Sequence, residues 1–348
     1  MLTSATVENF RGIERLHVEG LGRVNLIIGR NDSGKTALME ALELLWMPED
    51  AGLVMAARQS ARHPKADMKD FDDFWLPIFR RMDAERGFGV EGTDKRGARV
   101  KLTMAKSSDS PIEFDAETEA LFGTPNTWEL KWSIAMAGTP VEERAISFNG
   151  TGLHFPPRVS HNEGWVWIAP SPSIRAADLR ILSKLKQQGH GDRVVGLLRL
   201  INDRVSGIEL LAPTGERAAV FIELKHDGLL PLNMMGEGAK RGFELAVALS
   251  SREHPVLCID EVENGLHHSA MEALWSWIAE ASSTRDAQIF ATTHSEECVE
   301  AACRAFAVRG DDGLRVIRLD KQEQETKAVI YDRNLVEAAS RMGVEIRG

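Results

Sequence analysis

The sequence predicts an α/β fold: a mostly parallel sheet covered by helices, with an antiparallel β lobe attached. Three observations predict it. Short apolar runs rich in branched residues, VNLII at 24–28, VLCI at 256–259 and QIFAT at 288–292, show no polar alternation. Between them lie stretches with apolar residues at i, i+3, i+4 and i+7 spacing, and turn-forming residues punctuate the junctions. A strand without polar alternation is buried on both faces, and such strands alternating with helices build a parallel sheet covered on both sides.

Taken in order, residues 1–28 read as two extended segments, TSATVENF and VNLII. A loop over Gly29–Ser33 leads into a helix over Thr36–Trp46, whose Leu38, Ala41, Leu42 and Leu45 share one face and which Pro48 closes. From 50 to 170, Trp, Pro and Gly are scattered among short alternating stretches such as ARVKLTMA and TWELKWSIAMA, and we expect an inserted, mostly β lobe within a single domain over 1–348. Helices are expected over Ala177–Gln188 and Asp192–Val205, the second with Val194, Leu198, Ile201 and Val205 on one side. A strand pair IELLAP and AAVFIEL, a helix over Gly238–Ser250, and a helical stripe of Met271, Leu274, Trp275 and Ile278 follow. The tail offers LRVIRL and KAVIY as a hairpin and a last helix near Leu335–Met342.

At 348 residues, 43% hydrophobic and 27% charged, the chain can bury one large core or two modest ones. No apolar run approaches the roughly 18–20 residues that span a bilayer, and MLTSATVENFRG has no leader pattern, so a cytoplasmic protein with no membrane contact is expected. Cys258, Cys298 and Cys303 form no CxxC pair, which suits buried thiols in a reducing compartment. A net charge of −10 argues against a surface that is cationic throughout, so DNA stays open as a partner without support from charge. Local basic runs, Arg80-Arg81, Lys95-Arg96 and Arg175, Arg180, Lys184, Lys186, are expected chiefly to solvate helix faces.

Four motifs carry chemistry. Gly29, Arg30, Asn31, Asp32, Ser33, Gly34, Lys35 and Thr36 fit G-x-x-x-x-G-K-[ST] between an expected strand and an expected helix. Glycines let successive N–H groups and the helix N-terminus face a polyphosphate, Lys35 reaches β/γ oxygens, and the Thr36 hydroxyl suits Mg2+. The blander reading is a glycine-rich turn at a helix start. VLCI runs into Asp260-Glu261, so a buried strand delivers two carboxylates to its carboxyl end, where ligands of open α/β sheets sit. Asp260 suits Mg2+ and Glu261 the attacking water, against the alternative of an ordinary strand-to-loop ending. His294 follows the next strand, with capping or packing as its other reading. Gly236, Glu237, Gly238, Ala239 and Lys240 open another helix, as an N-cap turn or as a second phosphate-facing helix start. The second role makes sense only toward a nucleotide held by another subunit, the geometry of a head-to-tail dimer.

These pieces, in this order, resemble the ABC-type P-loop ATPases of the RecF and structural-maintenance-of-chromosomes group, and most closely the stand-alone AAA-15-like or OLD-type ATPases of bacteria. VENFRGIERLHVEGLGRVNLIIGRNDSGKTALMEAL is similar to that group's N-terminal half; LPLNMMGEGAKRGFELAVAL, VLCIDEVENGLHHS and QIFATTHSEECVEAA are similar to its C-terminal half. The resemblance implies ATP and Mg2+ as cofactors, Lys35 and Thr36 as Walker A ligands, Asp260 and Glu261 as Walker B, and Gly236–Lys240 as the signature loop. It further implies Asn264 and Gly265 as the D-loop, His294 as the switch histidine, and Phe10-Arg11 bordering base and ribose. The implied activity is ATP hydrolysis by a homodimer that sandwiches ATP and gates a separately encoded effector, in phage defence or DNA processing.

The sequence departs from the pattern in places. Gly236-Glu237-Gly238 replaces the Ser-Gly-Gly core of the signature, and Gln59 is merely the nearest candidate for a Q-loop glutamine. There are no sustained heptads for a coiled-coil arm. About fifty residues follow His294, too few for a TOPRIM nuclease domain, and Gly310–Gly313 (GDDG) reads as a turn rather than a metal site. A nucleotide-regulated scaffold with negligible turnover and a small-molecule P-loop kinase remain as other classes. No Asn-Lys-x-Asp motif appears, which favours ATP over GTP.

Overall fold

The computed structural model describes residues 1–108, 127–159, 164–213, 215, 218–251, 255–322 and 325–332. Along the chain the strands are β1 (Leu2–Phe10), β2 (Ile13–Glu19), β3 (Val24–Ile28), β4 (Phe88–Asp94), β5 (Arg99–Lys106), β6 (Trp128–Met136), β7 (Glu142–Phe148), β8 (Leu153–His154), β9 (Trp165–Ile168), β10 (Val205–Leu211), β11 (Ala219–Leu224), β12 (Gly228–Pro231), β13 (Val256–Ile259), β14 (Gln288–Thr292), β15 (Leu314–Lys321) and β16 (Thr326–Asp332). The α-helices are α1 (Lys35–Trp46), α2 (Ala51–Arg62), α3 (Ala176–Gln187), α4 (Gly191–Ile201), α5 (Glu237–Ser250), α6 (Met271–Arg285) and α7 (Glu296–Val308). They divide into two compact units, Met1–Leu21 with Asn31–Asn162 and Leu319–Ala328, and Gly22–Arg30 with Glu163–Arg318 and the residues from Val329.

The first unit is built on a seven-stranded sheet of order β2-β1-β4-β5-β6-β7-β8, antiparallel throughout. Val7 lies opposite both Leu16 and Val90, and Ala5, Val7, Val90, Leu102, Leu130, Trp132 and Ile146 are buried, with α1 packed on β1, β4 and β5. Gly92 permits that approach, because a Cβ there would stand 2.8 Å from Leu45 Cδ1. The segment 50–170, expected as an inserted lobe, contributes β4–β8 to the sheet that β1 and β2 begin.

Two elements of this unit were not expected. β2 is hidden because IERLHVE sets Ile13, Leu16 and Val18 among Glu14, Arg15, His17 and Glu19, the composition of a strand with one wet face. Helix α2 is hidden behind Pro48, which does end α1 but also sits at the first position of the 3-10 turn Pro48–Asp50 that leads straight into α2. Two buried carboxylates on α1 hold α2 in place. Arg58 donates to both Glu43 oxygens at 2.6 Å, and Glu40 accepts from Arg62 at 2.9 Å and from Arg11.

The second unit carries the expected parallel sheet, in the order β16-β15-β3-β14-β13-β9. β15, β14, β13 and β9 all run parallel to their neighbours through β3, with Val24 opposite Ile289 and Leu257 opposite both Ile289 and Val166. Every residue of β3, β13 and β14 is buried, as the absence of polar alternation requires. Leu26, Ile259 and Ile289 share one hydrophobic core with Phe243 of α5, Trp275 and Ile278 of α6 and Phe306 of α7. LRVIRL and KAVIY lie in β15 and β16, adjacent as expected, while the helix expected near 335–342 falls outside the described residues.

A small antiparallel sheet, β10-β11-β12, completes the unit and contains the expected strand pair. One boundary differs. Helix α4 ends at Ile201, not Val205, because the Asn202 side chain reaches forward to accept from the Arg204 N–H at 3.0 Å, and Val205 opens β10. Cys258, Cys298 and Cys303 are buried and form no disulfide among the described residues. Among the described residues no helix is long and apolar enough to cross a membrane.

The Glu43–Arg58 pair yields a prediction with a sign. Burial already pushes the Glu43 carboxyl above its usual value and Arg58 opposes that. Arg58→Ala therefore raises it further and should cost about 3 kcal/mol near neutral pH by leaving a buried charge unpaired. A raised folded-state value means the penalty is full above that value and vanishes once the carboxyl is protonated in the unfolded chain as well, so urea denaturation should show the deficit shrinking as pH falls toward the ordinary carboxylate range. A deficit independent of pH would contradict this.

Candidate functional site

The register of the parallel sheet brings four strand ends to one edge. Ile27 of β3 lies opposite Thr292 of β14, and Ala291 lies opposite Ile259 of β13, itself opposite Ile168 of β9. Asp260 is the first residue beyond β13; its N–H still reaches the Ile168 carbonyl at 2.9 Å, and its side chain is buried. The Thr292 hydroxyl donates to the Asp260 carboxylate at 2.6 Å and accepts from the Glu261 N–H at 2.8 Å. One side chain thereby sets both the aim of the first carboxylate and the backbone of the second. Glu261 adopts φ 49°, a left-handed conformation that favours glycine and that other residues hold only against resistance. The turn is braced further by Val262 N–H to the Thr292 carbonyl at 2.9 Å and Asn264 N–H to the Glu261 carbonyl at 3.0 Å.

On the same edge β3 ends at Ile28 and passes into Gly29, with φ 143°. The connection from Gly29 to α1 takes two further left-handed residues, Asp32 at φ 61° and Gly34 at φ 98°, before the helix starts at Lys35 with no side-chain cap and no acidic residue in its first turn. An uncapped helix start with positive polarity suits an anion. The Ser33 hydroxyl is buried and lacks a hydrogen-bond partner among the described residues. His294 stands two places beyond β14, its N–H donating to Glu263 at 2.8 Å, and Ser295 caps α7 by accepting from the Cys298 N–H at 3.2 Å. The Cys298 thiol, buried against Trp275, is pushed up to about 12 and so stays a neutral packing group.

The helix start at Gly236–Lys240 sits in the same unit. α5 begins at Glu237 without a side-chain cap, and Lys240 pairs with Glu237 at 2.9 Å. Gly238 lies directly against Gly265: a Cβ on Gly238 would meet the Gly265 carbonyl oxygen at 2.5 Å, and Gly265 itself takes φ 74°. Asn264, beside it, donates to the Pro170 carbonyl at 3.1 Å.

Comparison with known proteins finds ATPase domains. Residues 161–300 match the family described as "AAA domain, putative AbiEii toxin, Type IV TA system", and residues 1–75 match the AAA ATPase domain. An ATP/GTP phosphatase of Helicobacter pylori is 22% identical over 96% of this chain and 97% of its own length. The DNA replication and repair protein RecF of Shewanella baltica is 27% identical over 33% of this chain and 27% of its own length. Among solved structures, an SMC head bound to the C-winged helix domain of ScpA superposes with a TM-score of 0.51 at 11% identity, covering 97% of this chain and 99% of that one. A second SMC head, with an extended coiled coil and bound to the C-terminal domain of ScpA derived from Pyrococcus furiosus, also reaches 0.51 at 11% identity, covering 100% and 99%. The chain thus matches two ATPase-domain families over separate segments and resembles the ABC-type P-loop ATPases of the RecF/SMC-like group.

In this ATPase, Asp260, Glu261, His294 and the start of the glycine-rich connection gather at one sheet edge, and Gly236–Lys240 is backed by the Asn264-Gly265 turn. Phe10 and Arg11, expected beside base and ribose, are occupied elsewhere. The Phe10 ring is wholly buried, 4.8 Å from that of Phe88, and the Arg11 guanidinium is held by Glu40 and by Gln59 at 3.2 Å. Gln59 is itself wholly buried on α2, so the Q-loop candidate serves the first unit's interior. Gly310–Gly313 is a turn as expected: Asp311 accepts from the Gly313 N–H at 2.8 Å and pairs with Arg23, and no metal-ligating cluster occurs among the described residues. Of the basic runs, Arg80 pairs with Glu14, Arg175 with Asp178 and Lys186 with Glu209.

Sequence reasoning missed Thr292, whose signal was a polar residue closing an otherwise apolar run. It also passed over Arg241, a buried arginine with no local partner in the motif. Thr292→Val keeps the shape and deletes both hydrogen bonds, so it should cost about 1–3 kcal/mol in urea denaturation and lower hydrolysis with ATP affinity little changed. Wild-type stability and turnover in that variant would sink the bridging role.

Proposed function

We propose that the protein binds ATP with Mg2+ and hydrolyses it at a composite site, one copy supplying Lys35, Thr36, Asp260, Glu261 and His294, and a second copy its Gly236–Lys240 turn. The observation that carries the reading is the Asp260-Glu261 pair pinned by Thr292 at the sheet edge, one strand removed from the strand that leads into Gly29. Open α/β sheets hold their ligands at this edge.

The roles follow from the chemistry of each group. Backbone N–H groups of Gly29–Gly34 and the start of α1 face the phosphates, and Lys35 meets β/γ oxygens. The Thr36 hydroxyl and the Asp260 carboxylate are hard oxygen donors of the kind Mg2+ takes, and the metal would neutralise charge developing on the phosphates. Glu261 accepts a proton from water as that water's oxygen bonds the γ-phosphorus and the bond to the β–γ bridging oxygen breaks, releasing ADP and phosphate. His294 orients the water or the γ-phosphate. A partner's signature turn that contacts the γ-phosphate gives ATP different affinities for the open and closed dimer, the condition for nucleotide to drive closure.

The same reading makes the dimer a gate for a separately encoded effector, in phage defence or DNA processing. It is supported by the match to a domain family named for a type IV toxin–antitoxin system and by RecF, a DNA replication and repair protein, among the relatives. The order of the motifs also resembles that of OLD-type ATPases. One observation favours a second reading, a nucleotide-regulated scaffold with negligible turnover: Gly236 stands where a signature serine would offer its hydroxyl.

Single-turnover phosphate release with Mg2+, with and without duplex DNA, separates the two. Glu261→Gln should slow hydrolysis by at least about 100-fold and accumulate an ATP-bound dimer in light scattering. Lys35→Ala should weaken ATP binding by about 3 kcal/mol, roughly 150-fold. Undiminished hydrolysis in the Glu261 variant would remove the catalytic assignment, and absence of turnover in the wild type would favour the scaffold.

A further inference from the structure

Glu261 is held in its left-handed conformation by more than Thr292. Arg241 lies on α5 immediately after the Gly236–Lys240 turn and is buried to 1% exposure. Its Nη2 donates to the Asp260 carbonyl at 2.7 Å and to the Glu261 carbonyl at 3.2 Å, and its Nη1 donates to the Ala169 carbonyl. Those carbonyls lie just past the ends of β13 and β9, where the parallel ladder supplies no further strand donor. Buried carbonyls at such an edge must find partners, and a planar guanidinium offers donors in the fork geometry that two adjacent strand ends need.

The peptide groups on either side of Glu261 are therefore tied from both directions. The N–H binds the Thr292 hydroxyl, and the carbonyls before and after the Cα bind Arg241. With the backbone thus set, the direction of the Glu261 side chain is set too. Burial pushes the Arg241 guanidinium below its usual value, while the Glu244, Asp260, Glu261 and Glu263 carboxylates oppose this, so the cation is retained by the acidic groups it faces. Arg241 Nε is buried with no hydrogen-bond partner among the described residues, a cost that a purely structural brace could avoid with a smaller donor. The first turn of α5 is also packed on the Asn264-Gly265 turn through Gly238, so a shift of that helix start moves Arg241 and the residues after Glu261 together.

We propose that Arg241 is a positioning residue that couples the Gly236–Lys240 turn to Glu261: movement of the helix start reaches the carboxylate through its backbone carbonyls. The inference rests on Glu261 acting as the general base. Contact of the turn with a partner's nucleotide then adjusts hydrolysis in the chain that bears the turn, and linkage between the two sites of a dimer follows.

The test compares Arg241→Met, Arg241→Lys, Glu261→Gln and the double variant Arg241→Met/Glu261→Gln in the full chain. Far-UV circular dichroism and fluorescent-nucleotide binding serve as fold controls. Arg241→Met should lower kcat about 10- to 100-fold while KM for ATP changes less than about threefold, and it should add nothing to the Glu261→Gln defect. Arg241→Lys keeps the charge without the fork and should recover only part of kcat; it decides the matter if the methionine variant fails to fold. Wild-type kcat in either folded Arg241 variant, or full additivity with Glu261→Gln, overturns the inference and leaves the general base standing. Wild-type kcat in Glu261→Gln alone overturns the general base itself.

Discussion

Where a parallel sheet stops, its last carbonyls and N–H groups lose their ladder partners, and whatever satisfies them determines what the edge can do. Here the C-terminal edge of β9, β13 and β14 is finished by two side chains from distant parts of the chain. Thr292 binds the Asp260 carboxylate and the Glu261 N–H, and Arg241 binds the carbonyls of Ala169, Asp260 and Glu261. A left-handed Glu261 survives because both of its neighbouring peptides are held. The same bonds that satisfy a buried edge thus place two carboxylates where a ligand of an α/β sheet sits.

Elsewhere buried charge is handled by pairing. Glu40 and Glu43 on α1 would be costly alone in the first unit's interior, and Arg11, Arg58 and Arg62 neutralise them. Those pairs join α1 to α2 and to the end of β1, so the helix that opens at Lys35 is fixed along its length. Small residues handle contacts that no side chain could. Gly92 admits Leu45 of α1 to the sheet, and Gly238 admits the Gly265 carbonyl to the start of α5.

Much of the second unit was legible because its signals are local. VNLII, VLCI and QIFAT have no polar alternation and became fully buried parallel strands, and the glycine-rich connection declared itself by spacing alone. The first unit was harder to read. IERLHVE carries the composition of a one-sided strand in a stretch too charged to stand out, and Pro48 closes one helix while opening the next. Val205 extends the apolar stripe of α4, yet the Asn202 side chain ends the helix first, a local hydrogen bond that periodicity does not register.

By itself the sequence determined the ATPase class, the parallel sheet and the order of its motifs, since each depends on residues within a few positions of one another. Only the tertiary structure decided which groups those motifs touch. Thr292 and Asp260 are 32 positions apart and Arg241 and Asp260 are 19 apart, and the aromatic core, not a ligand, claims Phe10. Hydrogen-bond partners and burial are set by chain segments that meet after folding, so a single position's neighbours in sequence carry no record of them.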